Sequence, residues 1–143
     1  MEISLARELA MGHRLYGYQG KCANLHGHNY GFEVSITGNP DAALGLVMDF
    51  RAMGEILDNV LDPFDHCTLL MEGDPFEDAL KENRSKHQIM SANPSAENIG
   101  SLLFNLFRNE GLPVSRVLVR ETSDSCAYVD KVDRNIRIIR GVL

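Results

Sequence analysis

Three of the five histidines fall between positions 13 and 28 of the chain. His26 and His28 flank a single glycine. On an extended backbone, side chains at i and i+2 project to the same side a few ångströms apart. Two imidazoles so placed can grip one ion, with Gly27 keeping bulk away between them. His13 precedes them on a segment rich in glycine and polar groups, which can fold back to bring a third nitrogen. Three nitrogen ligands leave one coordination position of a tetrahedral ion open, the arrangement of a catalytic zinc rather than a structural one. Such an ion polarises a carbonyl or acidifies a bound hydroxyl. An isolated His-x-His is often an ordinary hydrogen-bonding or surface pair; the clustering of three favours a Zn2+ site at His13, His26 and His28.

Other reactive groups accompany this cluster. Cys22 lies four residues before His26. A thiol beside a dication loses its proton more readily and can serve as base or nucleophile. It can equally be a small buried apolar residue, or a fourth ligand that would close the site. Asp65-His66 sets a carboxylate beside an imidazole, a proton-handling pair if the two side chains face each other. Glu121, followed by Thr122, ends an apolar stretch. It is either solvated or able to accept two parallel hydrogen bonds from a guanidine-like edge. Arg14 and Lys21 lie close by in sequence as cations for an anionic substrate. His87 sits in a charged stretch and reads as a solvated surface group.

The elements that must position these groups follow from periodicity. Residues 2–9 suit a short strand, although residues 6–10 suit a helix equally well, and residues 10–25 read as a long loop. Over 28–37, Tyr30, Phe32, Val34 and Ile36 are apolar at every second position, which predicts a strand with these side chains inward. Residues 38–41 end it with turn chemistry. Asp49 is a candidate cap for a helix over 50–60, with Phe50, Met53, Ile56, Leu57 and Val60 at helical spacing. Residues 72–92 are charged and irregular, a surface excursion. Residues 93–97 carry a cap residue, an early proline and an early acid, which predict a second helix. Its stripe is Ile99, Leu102, Leu103, Leu106 and Phe107, and Gly111 stops it. Strands are expected over 114–121, 127–129 and 136–142, the last two separated by 130–135. The order implies α+β: an antiparallel sheet with two helices packed on one face.

With 143 residues the chain suits one domain with a real core, here taken as 1–143. A net charge of -6 without a lysine- or arginine-rich patch argues against nucleic acid as a partner. No apolar run approaches the roughly 20 residues that cross a bilayer, so no membrane partner is expected. Three widely spaced cysteines and no visible signal peptide predict free thiols and a cytoplasmic protein.

These segments, taken in order, resemble the 6-pyruvoyl-tetrahydropterin synthase family, and especially its bacterial branch that makes 6-carboxy-tetrahydropterin for queuosine-type deazaguanines. The matching segments are Gly12-His13-Arg14-Leu15, Cys22-Ala23-Asn24-Leu25-His26-Gly27-His28-Asn29-Tyr30, and Gly45-Leu46-Val47-Met48-Asp49-Phe50. Asp65-His66, Asn93-Pro94-Ser95-Ala96-Glu97-Asn98 and Glu121-Thr122 complete the set. The sequence departs from the family pattern at Leu9-Ala10-Met11-Gly12 and at Cys67-Thr68 after Asp65-His66. The resemblance implies zinc on His13, His26 and His28, a catalytic thiol at Cys22, proton relay by Asp65 and His66, and ring binding by Glu121 and Thr122. It implies the tunnelling fold (T-fold), with subunit sheets joined into a barrel in a trimer or a homohexamer built of two trimers, and active sites between subunits. The implied activity is a zinc-dependent lyase converting 7,8-dihydroneopterin triphosphate to 6-carboxy-tetrahydropterin, releasing acetaldehyde and triphosphate. The short Cys22-to-His26 spacing favours that product over 6-pyruvoyl-tetrahydropterin. A non-catalytic zinc- or pterin-binding module on the same scaffold is the alternative from another class, against which the thiol speaks.

Overall fold

A computed structural model describes residues 1–132 and 134–142. Its centre is a long hairpin. β1 (Glu2–His13) and β2 (His26–Thr37) pair antiparallel without a break, from Glu2 opposite Thr37 to His13 opposite His26. β1 is therefore longer than the short strand expected, and residues 10–13 belong to it rather than to the loop. Cross-strand pairing with β2 outweighs the helix-compatible composition of residues 6–10, because propensity is a weak prior against tertiary pairing. β2 keeps the expected alternation: Tyr30, Phe32, Val34 and Ile36 are all buried.

The remaining strands are β3 (Cys67–Met71), β4 (His87–Met90), β5 (Val114–Arg120), β6 (Cys126–Val129) and β7 (Ile138–Val142). They extend the hairpin into a seven-stranded sheet of order β6-β5-β2-β1-β3-β4-β7. Antiparallel pairs dominate, but β1–β3 and β3–β4 are parallel. The expectation of an antiparallel sheet therefore holds for four of the six pairings among the described residues. Residue 133, within the connection expected over 130–135, lies outside the described residues, as does residue 143.

Two helices cover one face. α1 (Phe50–Leu61) is capped as its sequence predicts, with Asp49 accepting from the amides of Arg51 and Ala52 at 2.7 and 3.2 Å. α3 (Ala96–Asn109) is capped by Ser95, whose hydroxyl accepts from the Asn98 amide. It ends at Gly111, whose φ of 86° is one that a side chain rarely adopts. The Gly111 amide returns to the Arg108 carbonyl and that of Leu112 to the Phe107 carbonyl, which satisfies two orphaned acceptors. Met53, Leu57, Leu61, Ile99, Leu102, Leu103, Phe104 and Phe107 close the main core against β2 and β5.

Residues 72–92 are not an irregular excursion. They contain a third helix, α2 (Phe76–Glu82), followed by β4, in which all four residues are buried. Leu69 and Met90 point into the main core, while their neighbours Leu70 and Ile89 form a separate small cluster with Leu80 of α2. Successive strand residues face opposite sides, so α2 lies on the face opposite α1 and α3. The segment hid itself because only these few apolar residues stand among Glu77, Asp78, Lys81 and Glu82. His87, expected on the surface, is buried; its Nδ1 donates to the Ser85 carbonyl at 2.7 Å. Gln88 donates to the Pro63 carbonyl at 3.0 Å. With partners for their polar atoms, both can occupy a central strand.

Candidate active site

The loop end of the β1–β2 hairpin, where residues 14–25 join the two strands, carries the three histidines. Their ring centroids lie 4.5 Å (His13–His26), 5.3 Å (His13–His28) and 5.0 Å (His26–His28) apart. One ring nitrogen from each lies within 4.8 Å of the other two, so the set can hold one metal ion. The close approach depends on glycine: a Cβ on Gly27 would stand 2.7 Å from the Met11 carbonyl oxygen across the hairpin. The group comprises only the histidines, and Cys22 is not part of it.

Hydrogen bonds from outside the cluster orient two of the rings. His13 Nδ1 lies 2.7 Å from the Pro94 carbonyl and His26 Nδ1 lies 2.8 Å from the Asn24 carbonyl. A carbonyl only accepts, so Nδ1 carries the proton in each and leaves Nε2 as a free lone pair. Burial pushes the His13 pKa below its ordinary value, which keeps the ring neutral. Ligating histidines are commonly held by such partners on the other ring nitrogen. A donor set of three imidazoles with ring nitrogens this close together fits a zinc ion.

The segment read as a helix start does more than start a helix. Asn93 clamps the loop after His13, accepting from the Tyr16 amide at 2.7 Å and donating to the Tyr16 carbonyl at 3.0 Å. Asn98 in turn donates to the Asn93 carbonyl at 2.8 Å. Arg14 is committed elsewhere: its Nε lies 3.3 Å from the buried Asp74 carboxylate, and its guanidinium lies over the Phe76 ring at 5.1 Å. Arg14 thus ties the loop to the segment leading into α2 and is not an open cation for substrate.

Beside His13 lies a cleft of about 230 Å³ lined by Cys22, Ser95, Glu97, Glu121, Ser125 and Cys126, among others. Cys22 and Glu121, far apart in sequence, meet there because β5 pairs with β2 and delivers Glu121 next to the hairpin's loop end. Tyr30 completes the arrangement. Its hydroxyl lies 2.9 Å from His13 Nε2 and 3.1 Å from Glu121 Oε1. Burial, reinforced by the Glu121 charge, raises the Tyr30 pKa far above its ordinary value, so it remains a phenol. Sequence periodicity shows Tyr30 only as a core residue; its hydroxyl role carries no local signal. Glu97, too, enters the cleft without having been singled out. Thr122 is exposed and does not line this cleft; its hydroxyl bonds to Asp124 at 2.6 Å and also contacts Ser125.

Asp65 and His66 do face each other, with Nδ1 2.9 Å from Oδ2. The hydrogen bond from His66 holds the Asp65 carboxyl below its ordinary pKa. His66 has a φ of 55°, a strained value of the kind that persists where surrounding structure enforces it. Its amide bonds to the Ala10 carbonyl at 2.8 Å. The imidazole is well exposed and borders an open depression lined also by His26, Gly27, His28, Asn29 and Thr68, which shares none of its lining with the Cys22 cleft. Within one chain the structure brings His13, Cys22 and Glu121 to one cleft and groups His13 with His26 and His28, while the Asp65–His66 pair lies outside the Cys22 cleft. The three cysteines are free, and burial pushes the Cys67 thiol up to about 11. Among the described residues no helix is long and apolar enough to cross a membrane.

A three-histidine site beside a thiol and a carboxylate, on an antiparallel-rich α+β sheet, defines a metal-competent enzyme-like cleft. Residues 2–132 match the family model for 6-pyruvoyl tetrahydropterin synthase, and the chain belongs to that family. It is 37% identical over 123 residues to a Rickettsia felis protein named 6-carboxy-5,6,7,8-tetrahydropterin synthase, covering 80% of this chain and 89% of the relative. A Haemophilus influenzae protein of the same name is 34% identical over 137 residues, covering 89% and 97%. The solved structure of Caenorhabditis elegans 6-pyruvoyl tetrahydropterin synthase shares the fold, with a TM-score of 0.70 at 20% identity, covering 92% of this chain and 95% of that one. An uncharacterized Wolinella succinogenes protein superposes with a TM-score of 0.75 at 19% identity, covering 91% and 97%.

Proposed function

We propose that the protein is a zinc-dependent 6-carboxy-5,6,7,8-tetrahydropterin synthase acting on 7,8-dihydroneopterin triphosphate in deazaguanine (queuosine) biosynthesis. The observation that carries this reading is the three-histidine group, one member of which, His13, shares a cleft with Cys22 and Glu121. The relatives' names supply the product, 6-carboxy-5,6,7,8-tetrahydropterin.

A zinc ion on His13, His26 and His28 supplies Lewis acidity that lowers the pKa of the substrate's side-chain hydroxyls. Glu121 accepts hydrogen bonds from the ring's amino group and ring N–H, which fixes the side chain over Cys22. Cys22, as thiolate, takes a proton from the side chain, and this opens the route to loss of triphosphate. Asp65 orients His66, which handles protons at the substrate hydroxyls. His66 borders a depression that His26 and His28 also line but Cys22 does not, and with active sites built between subunits the pair would serve the Cys22 cleft of a neighbouring subunit. The strands β6 and β7 end the sheet with open edges, and edge pairing between copies, in a trimer or hexamer, answers that exposure. Thr122 supports the turn behind Glu121 rather than touching the ring itself.

Incubating zinc-loaded protein with 7,8-dihydroneopterin triphosphate tests the reading by mass spectrometry. The expected products are 6-carboxy-tetrahydropterin, acetaldehyde and triphosphate. A pyruvoyl product without acetaldehyde would reassign the reaction, and no turnover would reject it.

A further inference from the structure

The Tyr30 hydroxyl occupies an unusual position: it is buried, has one proton to give, and faces two acceptors that belong to different parts of the site. His13 Nε2 lies at 2.9 Å and Glu121 Oε1 at 3.1 Å. The Pro94 carbonyl commits the His13 proton to Nδ1, so Nε2 has a lone pair and competes with the carboxylate for the phenol proton. His13 and Glu121 themselves stand 3.6 Å apart at these atoms, with Tyr30 between their options.

We infer that Tyr30 is a positioning residue that couples metal loading to binding of the heterocycle. An ion on His13 Nε2 occupies the lone pair that otherwise draws the phenol proton. The hydroxyl is then left with one acceptor and donates to Glu121 Oε1. That bond pins the carboxylate in place and leaves its remaining lone pairs directed into the cleft, ready for an N–H edge. Without the ion, the proton is divided between two acceptors and the carboxylate is less constrained. Linkage makes the effect reciprocal: a ligand that needs the oriented carboxylate tightens the ion by the same factor. The inference rests on reading Glu121 as the anchor of a pterin ring.

The test uses unsubstituted pterin, which has no side-chain hydroxyls to reach the ion, so any coupling must run through the protein. Pterin affinity is measured by fluorescence titration for zinc-free and zinc-loaded protein. Zinc affinity is measured by chelator competition with and without saturating pterin. In the unaltered protein both ratios are expected to be equal and at least about fivefold, in the favourable direction. In Tyr30→Phe, which keeps the buried ring and removes only the hydroxyl, both ratios fall to about one. A merely structural role would weaken binding in loaded and unloaded forms alike and leave the ratio untouched. Equal pterin affinity with and without zinc in the unaltered protein overturns the coupling while leaving the ring site standing. A Tyr30→Phe protein that keeps the full ratio also overturns it. Failure of pterin to bind either form removes the ring-anchor reading, and the coupling with it.

Discussion

The β1–β2 hairpin and the segment from β3 to β4 meet along one pair of strands, yet they were written in sequence very differently. In the hairpin, from His26 to Val34, each more buried residue of β2 alternates with a more exposed one, and both histidines of the His-Gly-His triplet obey the same two-residue repeat. In the β3–α2–β4 segment the apolar residues are divided between two faces. Leu69 and Met90 serve the main core, while Leu70, Leu80 and Ile89 form a small cluster of their own. A strand buried on both faces loses its alternation, and a short helix surrounded by charge loses its stripe. The difference teaches that burial on one face writes a pattern, while burial on two erases it.

The contrast can be sharpened by substitution, beginning where the effect is largest. Cys22→Ala is expected to lower turnover by roughly three orders of magnitude, with zinc remaining near one per chain, because the ion-holding group is the histidines alone. Zinc analysis beside single-turnover kinetics checks this; loss of zinc in the variant would contradict the geometry.

The two cores should differ in depth. Leu57→Ala, fully buried in the main core, is expected to cost about 3–4 kcal/mol. Leu80→Ala, at the rim of the small cluster, should cost about 2 kcal/mol. Denaturant unfolding at fixed protein concentration compares them. Equal losses would mean that the two clusters act as one core.

A smaller effect belongs to the charges that hold α2 against β7. Glu77 is 7% exposed and receives Arg140 at 2.8 and 2.6 Å and Lys81 at 2.7 Å. The Arg140 and Lys81 bonds hold its carboxyl at about 2, below the ordinary value of 4.5. Because the folded value is the lower one, the stabilisation is complete above about pH 4.5 and fades as the pH falls toward 2. Both cations are about half exposed, so solvent screens them and the contribution stays near about 1–2 kcal/mol. Glu77→Gln should therefore lower stability at pH 6 and make little difference at pH 2. A difference independent of pH would assign the loss to packing.

How much of the site was legible follows the same physics. The His-Gly-His triplet, the cap at Asp49, the helix start within residues 93–97 and the stop at Gly111 were readable because each depends on residues a few positions apart; that Ser95 is the cap residue itself came from the structure. His87 was misread because a histidine among charges carries no sign that Ser85 will satisfy its ring. Tyr30 was read correctly as buried, but its hydroxyl's partners lie 17 and 91 residues away. Arg14 looked available until Asp74 and Phe76 were brought against it.

The sequence by itself determined the local geometry: which imidazoles can share an ion, where helices start and stop, and which face of β2 turns inward. Those are consequences of covalent spacing, the same in any fold that keeps the strand extended. Only the tertiary structure decided that Pro94 holds His13, that Glu121 reaches Tyr30, and that Asp65–His66 opens away from Cys22. Sheet order sets these meetings, and it is fixed by the joint burial of side chains from every strand and helix, a sum that no single segment contains.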